Sequence, residues 1–367
     1  MSVTRTLKAL RGTGWRFTRL AYRRTILWLA PLYRVQLRRV VFIGVTGSCG
    51  KTTTKELIAA VLATQFRGRK NPGNSNLPHS IARTILHVRP WEKFCVLEIA
   101  AAIRGERIPL EDSLRLARPQ IGVVTNIGTD HLSAFHTVEA IAVEKGKLVA
   151  SLPPLGTAVL NADDMHVRAM AARCAGRVIT YGLASNAMVR AENISSNWPE
   201  RLSFTARYAE QPHTIHTQLC GAHWVPCVLA ALAVGLAMGV PLAKAAQGIA
   251  TVAPLRRRMS PMTHLDGGTF ILDDAKAPLW SIAPMLQFMK EARATRKIVV
   301  IGTISDYRGN SDRTYVAVAR QALEVADRVV FVGRRASKCL KAKRHPQHDA
   351  LQSFYSVDAA RDCLRGW

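Results

Sequence analysis

Acidic residues are scarce in this 367-residue sequence, and the first of them is Glu56. Asp and Glu together number 25 against 51 Lys and Arg, which gives a formal net charge of +26 at pH 7. Such an imbalance favours polyanionic partners: nucleic acids, anionic lipids or phosphate-bearing substrates. The sequence has no recognition helix, aromatic RNA-binding motif or zinc finger, so nucleic acid is the least favoured of the three.

Cysteine pairs with metal or redox spacing are also missing. The seven cysteines are scattered, with no CxxC and no zinc-type Cys/His spacing, which predicts reduced thiols and a cytoplasmic location. No apolar run reaches the 18 or so residues of a membrane span, and the run 25–33 contains Pro31 and lacks a following cleavage site. Apolar residues make up 48%, which excludes a disordered tail, a collagen-like chain or a small disulfide scaffold.

Residues 1–39 form a separate basic segment without a single acid. Aromatic and aliphatic side chains, such as Trp15, Tyr22 and Trp28, alternate with the arginines. We expect a basic amphipathic helix that contacts an anionic membrane surface at the inner face of the membrane. A solvated basic helix packed on the next domain, and an Arg-rich organelle transit peptide, are the alternatives. The basic residues are Arg5, Lys8, Arg11, Arg16, Arg19, Arg23, Arg24, Arg34, Arg38 and Arg39.

From residue 40 onward, short apolar runs alternate with helical patterns. The runs 40–45, 94–99, 121–124, 157–160 and 178–181 predict buried parallel strands, and 53–66 and 225–238 predict helices. A second series of strands is expected at 269–272, 298–301 and 329–332. The fold class is therefore α/β, a doubly wound central domain (40–255) followed by a Rossmann-like C-terminal α/β domain (256–367) that is short enough to be truncated.

The most specific motif is Val45-Thr46-Gly47-Ser48-Cys49-Gly50-Lys51-Thr52-Thr53, between a predicted buried strand and a helix. This context is typical of a phosphate-binding loop, where glycines let backbone N–H groups approach the phosphates and the helix N-terminus favours anions. Lys51 is suited to the β- and γ-phosphates, and the Thr52 hydroxyl to Mg²⁺. Val45 stands where the general pattern has glycine, so the loop is a variant.

Three further residues carry candidate chemistry that spacing alone leaves open. Glu98 ends an apolar strand and suits a hard cation, although a helix cap or a surface ion pair is the alternative. His131 could equally be an ordinary loop histidine, and Lys145 by itself fits a solvated helix face.

Together, and across about residues 40–335, these segments resemble the Mur ligase family, the ATP-dependent amide-forming enzymes of peptidoglycan synthesis. Within it, the likeness is strongest to the ligase that adds D-alanyl-D-alanine to a UDP-muramoyl-tripeptide. The matching segments are 46–53, Asn74-Ser75-Asn76-Leu77-Pro78, Leu97-Glu98, Thr125-Asn126-Ile127-Gly128-Thr129-Asp130-His131-Leu132, Lys145, Leu160-Asn161-Ala162-Asp163-Asp164 and Gly221-Ala222-His223.

The resemblance implies a role for each matching position. It implies ATP bound by the loop residues, two Mg²⁺ ions, a carbamoylated Lys145, and an arginine, Arg258, that reaches the phosphates from a hinge. It implies that Thr52, Glu98, His131 and Lys145 hold metal and that Lys51, Glu98, His131, Lys145 and Arg258 serve catalysis. The implied ATP-binding residues are Thr46, Gly47, Ser48, Cys49, Gly50, Lys51, Thr52, Thr53, Asn161 and Asp274.

Joining a carboxylate to an amine in water requires activation, which transfer of the ATP γ-phosphoryl group to the carboxylate supplies. The expected substrates are therefore a carboxylate, with a UDP-linked peptide as the family example, and an amino acid or dipeptide amine. A ligase for a non-muramoyl substrate and a non-catalytic, membrane-docked ATP-binding scaffold are the alternatives.

The chain also departs from the family pattern at several positions. Ala275-Lys276-Ala277-Pro278 follows Asp273-Asp274 in place of Ser-Tyr-Asn-Ala-Asn-Pro, and Arg257 replaces the glycine before Arg258. Trp224 and Cys227 stand where the family has asparagine, and the segment 1–39 stands where the family has its UDP-sugar domain. These departures favour the two alternative functions, a ligase for a non-muramoyl substrate and a non-catalytic ATP-binding scaffold.

Overall fold

The computed structural model describes residues 21–103, 106–130, 132–209, 211–264, 267–343 and 349–365. Strands and helices alternate through most of this range. In chain order the strands are β1 (Val41–Thr46), β2 (Gly68–Lys70), β3 (Phe94–Glu98), β4 (Ala102–Ile103), β5 (Glu106–Arg107), β6 (Ile121–Val124), β7 (Thr157–Asn161), β8 (Arg177–Gly182), β9 (Val189–Ser195), β10 (Ser203–Tyr208), β11 (Gln211–His216), β12 (Ser260–Thr263), β13 (Thr269–Leu272), β14 (Ile298–Ile301), β15 (Arg328–Val332) and β16 (Leu351–Phe354).

The helices cover both faces of the sheets formed by these strands. They are α1 (21–36), α2 (Lys51–Ala63), α3 (Pro78–His87), α4 (Leu110–Ala117), α5 (Leu132–Phe135), α6 (Val138–Ala150), α7 (Met165–Ala169), α8 (Val225–Ala237), α9 (Leu242–Ala250), α10 (Leu279–Glu291), α11 (Ser311–Leu323) and α12 (Val357–Leu364). None of the helices in the described ranges is long and apolar enough to cross a membrane.

A nine-stranded sheet forms the centre of the molecule, in the order β11-β10-β9-β8-β7-β6-β1-β3-β2. The strands from β2 to β9 in this order run parallel, as the apolar runs predict, and the α/β fold is confirmed. After β1 the chain forms β2 and β3, which lie on one side of β1 within the sheet. It later forms β6, which pairs with the opposite edge of β1. The strand order therefore reverses at β1, and the carboxyl end of β1 is where an open α/β sheet binds ligands.

The sheet is buried between two apolar layers. Helices α2, α8 and α9 cover one face, where α8 is buried almost all round, and α1, α3, α4 and α6 cover the other. Phe42 and Val45 are fully buried and point into opposite layers, which explains why β1 reads as a continuous apolar run.

Two regions differ from the strands expected from the sequence. Residues 189–216 extend the sheet with β9, β10 and β11, and the last two pair antiparallel. The expected strand 269–272 exists as β13, but it pairs antiparallel with β12 in a separate two-stranded sheet. The expectation that it belongs to the C-terminal parallel sheet is wrong, because that sheet contains β14, β15 and β16.

The basic N-terminal segment is described from residue 21 onward, and its first twenty residues lie outside the described ranges. Helix α1 packs on the central sheet through Ile26 and Ala30, with Leu37 just beyond its end. On its outer face, the side chain of Trp28 is 68% exposed and that of Leu32 is 54% exposed. Helix α1 is thus packed on the central sheet, and it also exposes apolar side chains on its outer face.

Candidate active site

The loop between β1 and α2 has the geometry of a phosphate cradle. Gly47 has φ +144° and Gly50 has φ +74°, in the region that side chains disfavour. A Cβ on Gly47 would lie 1.9 Å from Thr125 Oγ1, so only glycine fits there. Helix α2 then begins without a side-chain cap and without an acid in its first turn. Its first N–H groups and its positive dipole end therefore remain available to an anion.

Hydrogen bonds fasten this loop to the segment that follows β6. Ser48 N donates to Asn126 O (2.9 Å), and Cys49 N donates to Asn126 Oδ1 (2.8 Å). Gly128 N donates to Ser48 Oγ (2.8 Å), while Thr125 Oγ1 donates to Cys49 O (2.6 Å). Because both segments are fixed to each other, the loop is shaped before any ligand arrives.

Lys51 folds back over the loop. Its Nζ donates to Gly47 O at 2.7 Å and to Ser48 O at 3.2 Å, and lies 3.7 Å from Asp130 Oδ2. The side chain is 15% exposed. Lys51 thus places a cation at the mouth of the cradle, where a phosphate group could replace the loop carbonyls as its partner.

The other loop residues predicted to bind ATP are held inside the cradle. Thr46 Oγ1 donates to Ile99 O (3.1 Å), and Thr52 is buried. Thr53 Oγ1 is buried and has no hydrogen-bond partner among the described residues. Asn126 Nδ2 donates to Cys49 Sγ at 2.6 Å.

Glu98 ends β3 directly beside the loop, because it pairs in register with Val45 of β1. Its Oε1 accepts a hydrogen bond from Asn76 Nδ2 (2.9 Å), and its main chain is held by Asn71. Its Oε2 is buried with no hydrogen-bond partner among the described residues. Since an unpartnered buried carboxylate oxygen is costly, this atom fits a ligand for a hard cation such as Mg²⁺.

Lys145 approaches the same loop from α6. It is buried, and its Nζ donates to Ser48 Oγ at 3.1 Å. Burial, followed by the positive charge of Lys51, lowers the pKa of Lys145 to about 7. The structure therefore excludes the solvated helix face that spacing alone allowed.

Asn161 and the two following aspartates brace the carboxyl ends of the strands. Asn161 Nδ2 donates to Thr125 O (3.0 Å), and its Oδ1 accepts from Asp163 N (3.0 Å). Asp164 caps α7 and also accepts from Ile127 N at 2.7 Å. These contacts hold the 125–128 segment against the loop, and a direct contact of Asn161 with ATP stays a prediction.

The residues predicted at the hinge include an exposed ion pair. Asp274 is 61% exposed and pairs with Arg257, whose Nε lies 2.9 Å from Asp274 Oδ2. Burial raises the pKa of Cys227 to about 12, an effect that the nearby charge of Arg258 opposes. Cys227 Sγ in turn lies 3.8 Å from Gly50 O, and a contact of Arg258 with the phosphates stays a prediction.

Not all of the predicted metal ligands lie within the described ranges. His131 lies outside the described residues, so its predicted role as a ligand stays a prediction. Elsewhere the described ranges contain no group of three or more His, Cys, Asp and Glu side chains arranged to hold a metal. Glu98, and the lysine at 145 if it were carbamoylated, are the described groups that could complete such a site beside Thr52.

Sequence reasoning did not single out several residues that the structure brings to the site. Asn71 is fully buried and bonds the main chain of Glu98, and the signal for it is a polar residue directly after the short strand β2. Asp130 lies between Lys51 and Lys276, at 3.7 and 2.7 Å. Asp306 reaches the same place from the loop after β14, and only the tertiary fold reveals this.

Comparison with known proteins agrees with this geometry. The Mur ligase middle domain matches residues 45–235. The chain is 33% identical over 313 residues to the UDP-N-acetylmuramoyl-tripeptide–D-alanyl-D-alanine ligase of Mycobacterium tuberculosis, covering 83% of this chain and 60% of that protein. The corresponding Escherichia coli ligase is 26% identical over 91% of this chain and 72% of its own length.

Solved structures share the fold. MurF from Acinetobacter baumannii superposes with a TM-score of 0.83 at 23% identity, covering 94% of this chain and 74% of that one. MurF from Thermotoga maritima, solved in complex with ADP, gives 0.78 at 21% identity over 93% of this chain and 77% of that one. The chain spans about 60% of the length of the mycobacterial ligase.

Proposed function

The chain belongs to the Mur ligase family, and from that premise we propose that it is an ATP- and Mg²⁺-dependent carboxylate–amine ligase of the MurF type. The observation that carries the proposal is the unpartnered Oε2 of buried Glu98 beside a preformed phosphate loop. The carboxylate of the substrate attacks the γ-phosphorus of ATP, the bond to the β-phosphate oxygen breaks, and ADP leaves. An amine then attacks the acyl phosphate, so that an amide forms, a proton is lost and phosphate departs.

Each residue of the cradle has a definite task in this reaction. Bound Mg²⁺ would neutralise charge that develops on the phosphoryl oxygens, and Thr52 and Glu98 would hold it, with His131 for a second ion. Lys51 balances charge on the β- and γ-phosphates, and the N–H groups at the start of α2 orient them. Arg258 approaches the γ-phosphate from the hinge. Asn161 and Asp274 remain proposed ATP contacts.

Lys145 is proposed to act as a carbamate. Its burial beside Ser48 leaves little room for a solvated ammonium group, and a carbamate would convert it into an anion that can bind metal. High-resolution native mass spectrometry and ¹³C NMR after equilibration with ¹³C-bicarbonate would test this. A carbamate signal that disappears in Lys145→Met supports it, and its absence in the parent protein contradicts it.

The proposed substrates are those for which the relatives of this chain are named. We propose a UDP-muramoyl-tripeptide as the carboxylate and D-alanyl-D-alanine as the amine, in a cytoplasmic step of peptidoglycan synthesis. A non-muramoyl carboxylate is the second candidate, because a shared fold and phosphate loop do not determine which carboxylate is bound. A non-catalytic ATP-binding scaffold is the third, favoured by the altered residues 275–278.

Measuring phosphate release distinguishes these three candidate functions directly. We expect release only when ATP, a carboxylate and an amine are all present, and we expect a UDP-muramoyl-tripeptide with D-alanyl-D-alanine to support it. Glu98→Gln should lower the rate at least 100-fold, whereas the exposed control Glu139→Gln should match the parent protein. Release with other carboxylates alone would favour the second candidate, and ATP binding without release under any combination would favour the scaffold.

We also propose that α1 contacts an anionic membrane surface. Trp28, Leu32 and Val35 are exposed on its outer face, Arg24 is exposed within the helix, and Arg38 is exposed just after it. No acid occurs before Glu56, so this face complements anionic lipid, with about 1 kcal/mol expected per basic residue at the surface.

Vesicle co-sedimentation tests the membrane contact. Vesicles that contain phosphatidylglycerol should retain the protein, and pure phosphatidylcholine vesicles should not. The double variant Trp28→Ser/Leu32→Ser should bind at least tenfold more weakly, while Leu155→Ser, which changes a side chain that is 99% exposed elsewhere, should bind like the parent. If the double variant bound the vesicles as strongly as the parent protein, this surface would not be the membrane contact.

A further inference from the structure

Lys55 is a fully buried lysine in helix α2 that the proposed mechanism does not use. Its Nζ donates to Asn71 O at 2.8 Å and to Gly73 O, and it lies 3.3 Å from Glu56 Oε1. An ammonium group has three N–H donors, and these three acceptors match them. Because a buried charge is stable only where it is paired and hydrogen-bonded, the lysine and the two carbonyls hold each other in place.

The two carbonyls belong to the loop 71–77, which connects β2 to α3 and holds Glu98. Asn71 Nδ2 donates to Glu98 O (3.1 Å), and Asn71 Oδ1 accepts from Glu98 N (2.9 Å). Towards the other end of the loop, Asn76 Nδ2 donates to Glu98 Oε1 at 2.9 Å. The loop therefore fixes both the main chain and the carboxylate of Glu98, although its residues 72–74 are exposed.

Lys55 also connects this loop to the helix that begins at the phosphate cradle. It lies four residues after Lys51, one turn further along the same face of α2. Burial lowers the pKa of Lys55, and the charges of Glu56 and Glu98 oppose this effect. One side of α2 thus carries the lysine of the phosphate loop and the lysine that holds the loop around Glu98.

We propose that Lys55 is a positioning residue, which holds the carbonyls of Asn71 and Gly73 and so fixes the loop that orients the Glu98 carboxylate beside the phosphate cradle. The inference rests on the proposed function, which assigns Glu98 to the metal. Without the ammonium group the buried carbonyl of Asn71 loses this partner, which is costly, and the exposed segment 72–74 turns towards water instead. Asn76 is then no longer held against Glu98.

Hydrogen exchange tests this step in the protein without nucleotide or metal. Peptides that cover 71–77 should exchange about tenfold faster in Lys55→Met than in the parent protein, because the loop opens locally. Lys297→Met is the matched control, since Lys297 Nζ also donates to a main-chain carbonyl, Lys290 O at 3.1 Å, but in the C-terminal domain. Equal exchange of 71–77 in Lys55→Met and the parent overturns the inference.

Calorimetric affinity for ATPγS, with and without Mg²⁺, tests the effect on Glu98. Without Mg²⁺, Lys55→Met should bind ATPγS as the parent does, because Lys51 and the phosphate loop are unchanged. The enhancement of affinity by Mg²⁺ should fall about tenfold, as is typical when the partners behind a metal ligand are lost. Asn76→Ala should show the same pattern, and Lys297→Met should match the parent. Lys55→Met overturns the inference if it keeps the full enhancement, or if it binds ATPγS more weakly by the same factor in both conditions.

Lys55→Gln provides the test if circular dichroism shows that Lys55→Met does not fold, because it removes the charge but keeps two N–H donors. Its enhancement by Mg²⁺ should fall while its affinity without Mg²⁺ stays that of the parent, and an unchanged enhancement overturns the inference. The double variant Lys55→Gln/Glu98→Gln should bind ATPγS as Glu98→Gln does in both conditions, and a further loss contradicts an action through Glu98. A parent protein whose affinity Mg²⁺ does not raise overturns the proposed function, and the inference with it.

Discussion

At the scale of single residues, the site depends on a few groups that have no substitute. Gly47 is packed against Thr125, and Glu98 presents one oxygen that nothing among the described residues satisfies. Sequence reasoning could identify both, because each follows a buried strand. It could not predict that Asn71 and Asn76 hold Glu98, since those contacts join segments that only the folded sheet brings together.

Replacing Lys51 by methionine should lower the affinity for ATP by about 10- to 100-fold, because a charge-assisted bond to phosphate contributes about 1.5–3 kcal/mol. Isothermal titration calorimetry measures this effect. Lys70→Met is the matched control, since Lys70 is a partly exposed lysine whose partner is Glu56. Unchanged ATP affinity in Lys51→Met would show that the lysine does not contact the phosphates.

Replacing Gly47 by alanine should destabilise the protein by about 2 kcal/mol or more. The new Cβ would clash with Thr125 and the backbone would keep an unfavourable positive φ. Gly302→Ala is the control, because a Cβ there meets nothing within 4 Å and the φ is ordinary. Equal urea midpoints for the two variants would contradict the close packing of the loop.

At the scale of elements, the parallel strands and their helices could be predicted because each buried strand is a continuous apolar run. The antiparallel pairing of β10 with β9 and β11 could not be predicted. In β9 and β10, polar and apolar residues alternate as in half-buried strands, but this alternation does not specify which strands pair. Glu192 of β9 meets Arg207 of β10 only after the two strands pair, whereas Arg190 lies two residues away on β9 itself. Strand β13 was expected correctly but assigned to the wrong sheet, because a four-residue run does not specify its neighbour.

The turn before β3 depends on an ion pair that should give a measurable pH dependence. Glu92 accepts from Arg69 Nε and Nη2 at 2.8 Å each and from Arg89 N at 2.7 Å. Burial alone would raise the pKa of Glu92, but these hydrogen bonds outweigh it and lower the pKa. The carboxylate therefore stabilises the folded state above its unfolded pKa of about 4.3, and this contribution is lost as pH falls through the lower folded pKa.

Glu92→Gln should accordingly reduce the free energy of unfolding by about 1 kcal/mol at pH 7, and the difference from the parent should shrink towards pH 3. Urea unfolding at both pH values checks this. Glu200→Gln, in an exposed pair with Arg293, should change stability little at either pH. A difference that grows on acidification would contradict the sign of the shift.

At the scale of the whole molecule, the phosphate loop lies where the strand order reverses and where the second domain arrives. Apolar contacts between the domains involve Met259, Phe288 and Trp224, one of the positions where the family has asparagine. The sequence could predict strands and helices on both sides of residue 255, where a boundary between two domains is expected. It could not predict that Lys276 and Asp306 meet Asp130, because that depends on how the domains pack.

The central claim is that the loop at 46–53 and Glu98 form one site for a nucleotide and its metal. Its most direct test is the affinity for ATPγS, measured by calorimetry with and without Mg²⁺, in the parent protein and in Glu98→Gln. We predict that Mg²⁺ raises the affinity of the parent at least tenfold and that Glu98→Gln binds with the same low affinity in both conditions. Equal enhancement by Mg²⁺ in both proteins would contradict the account.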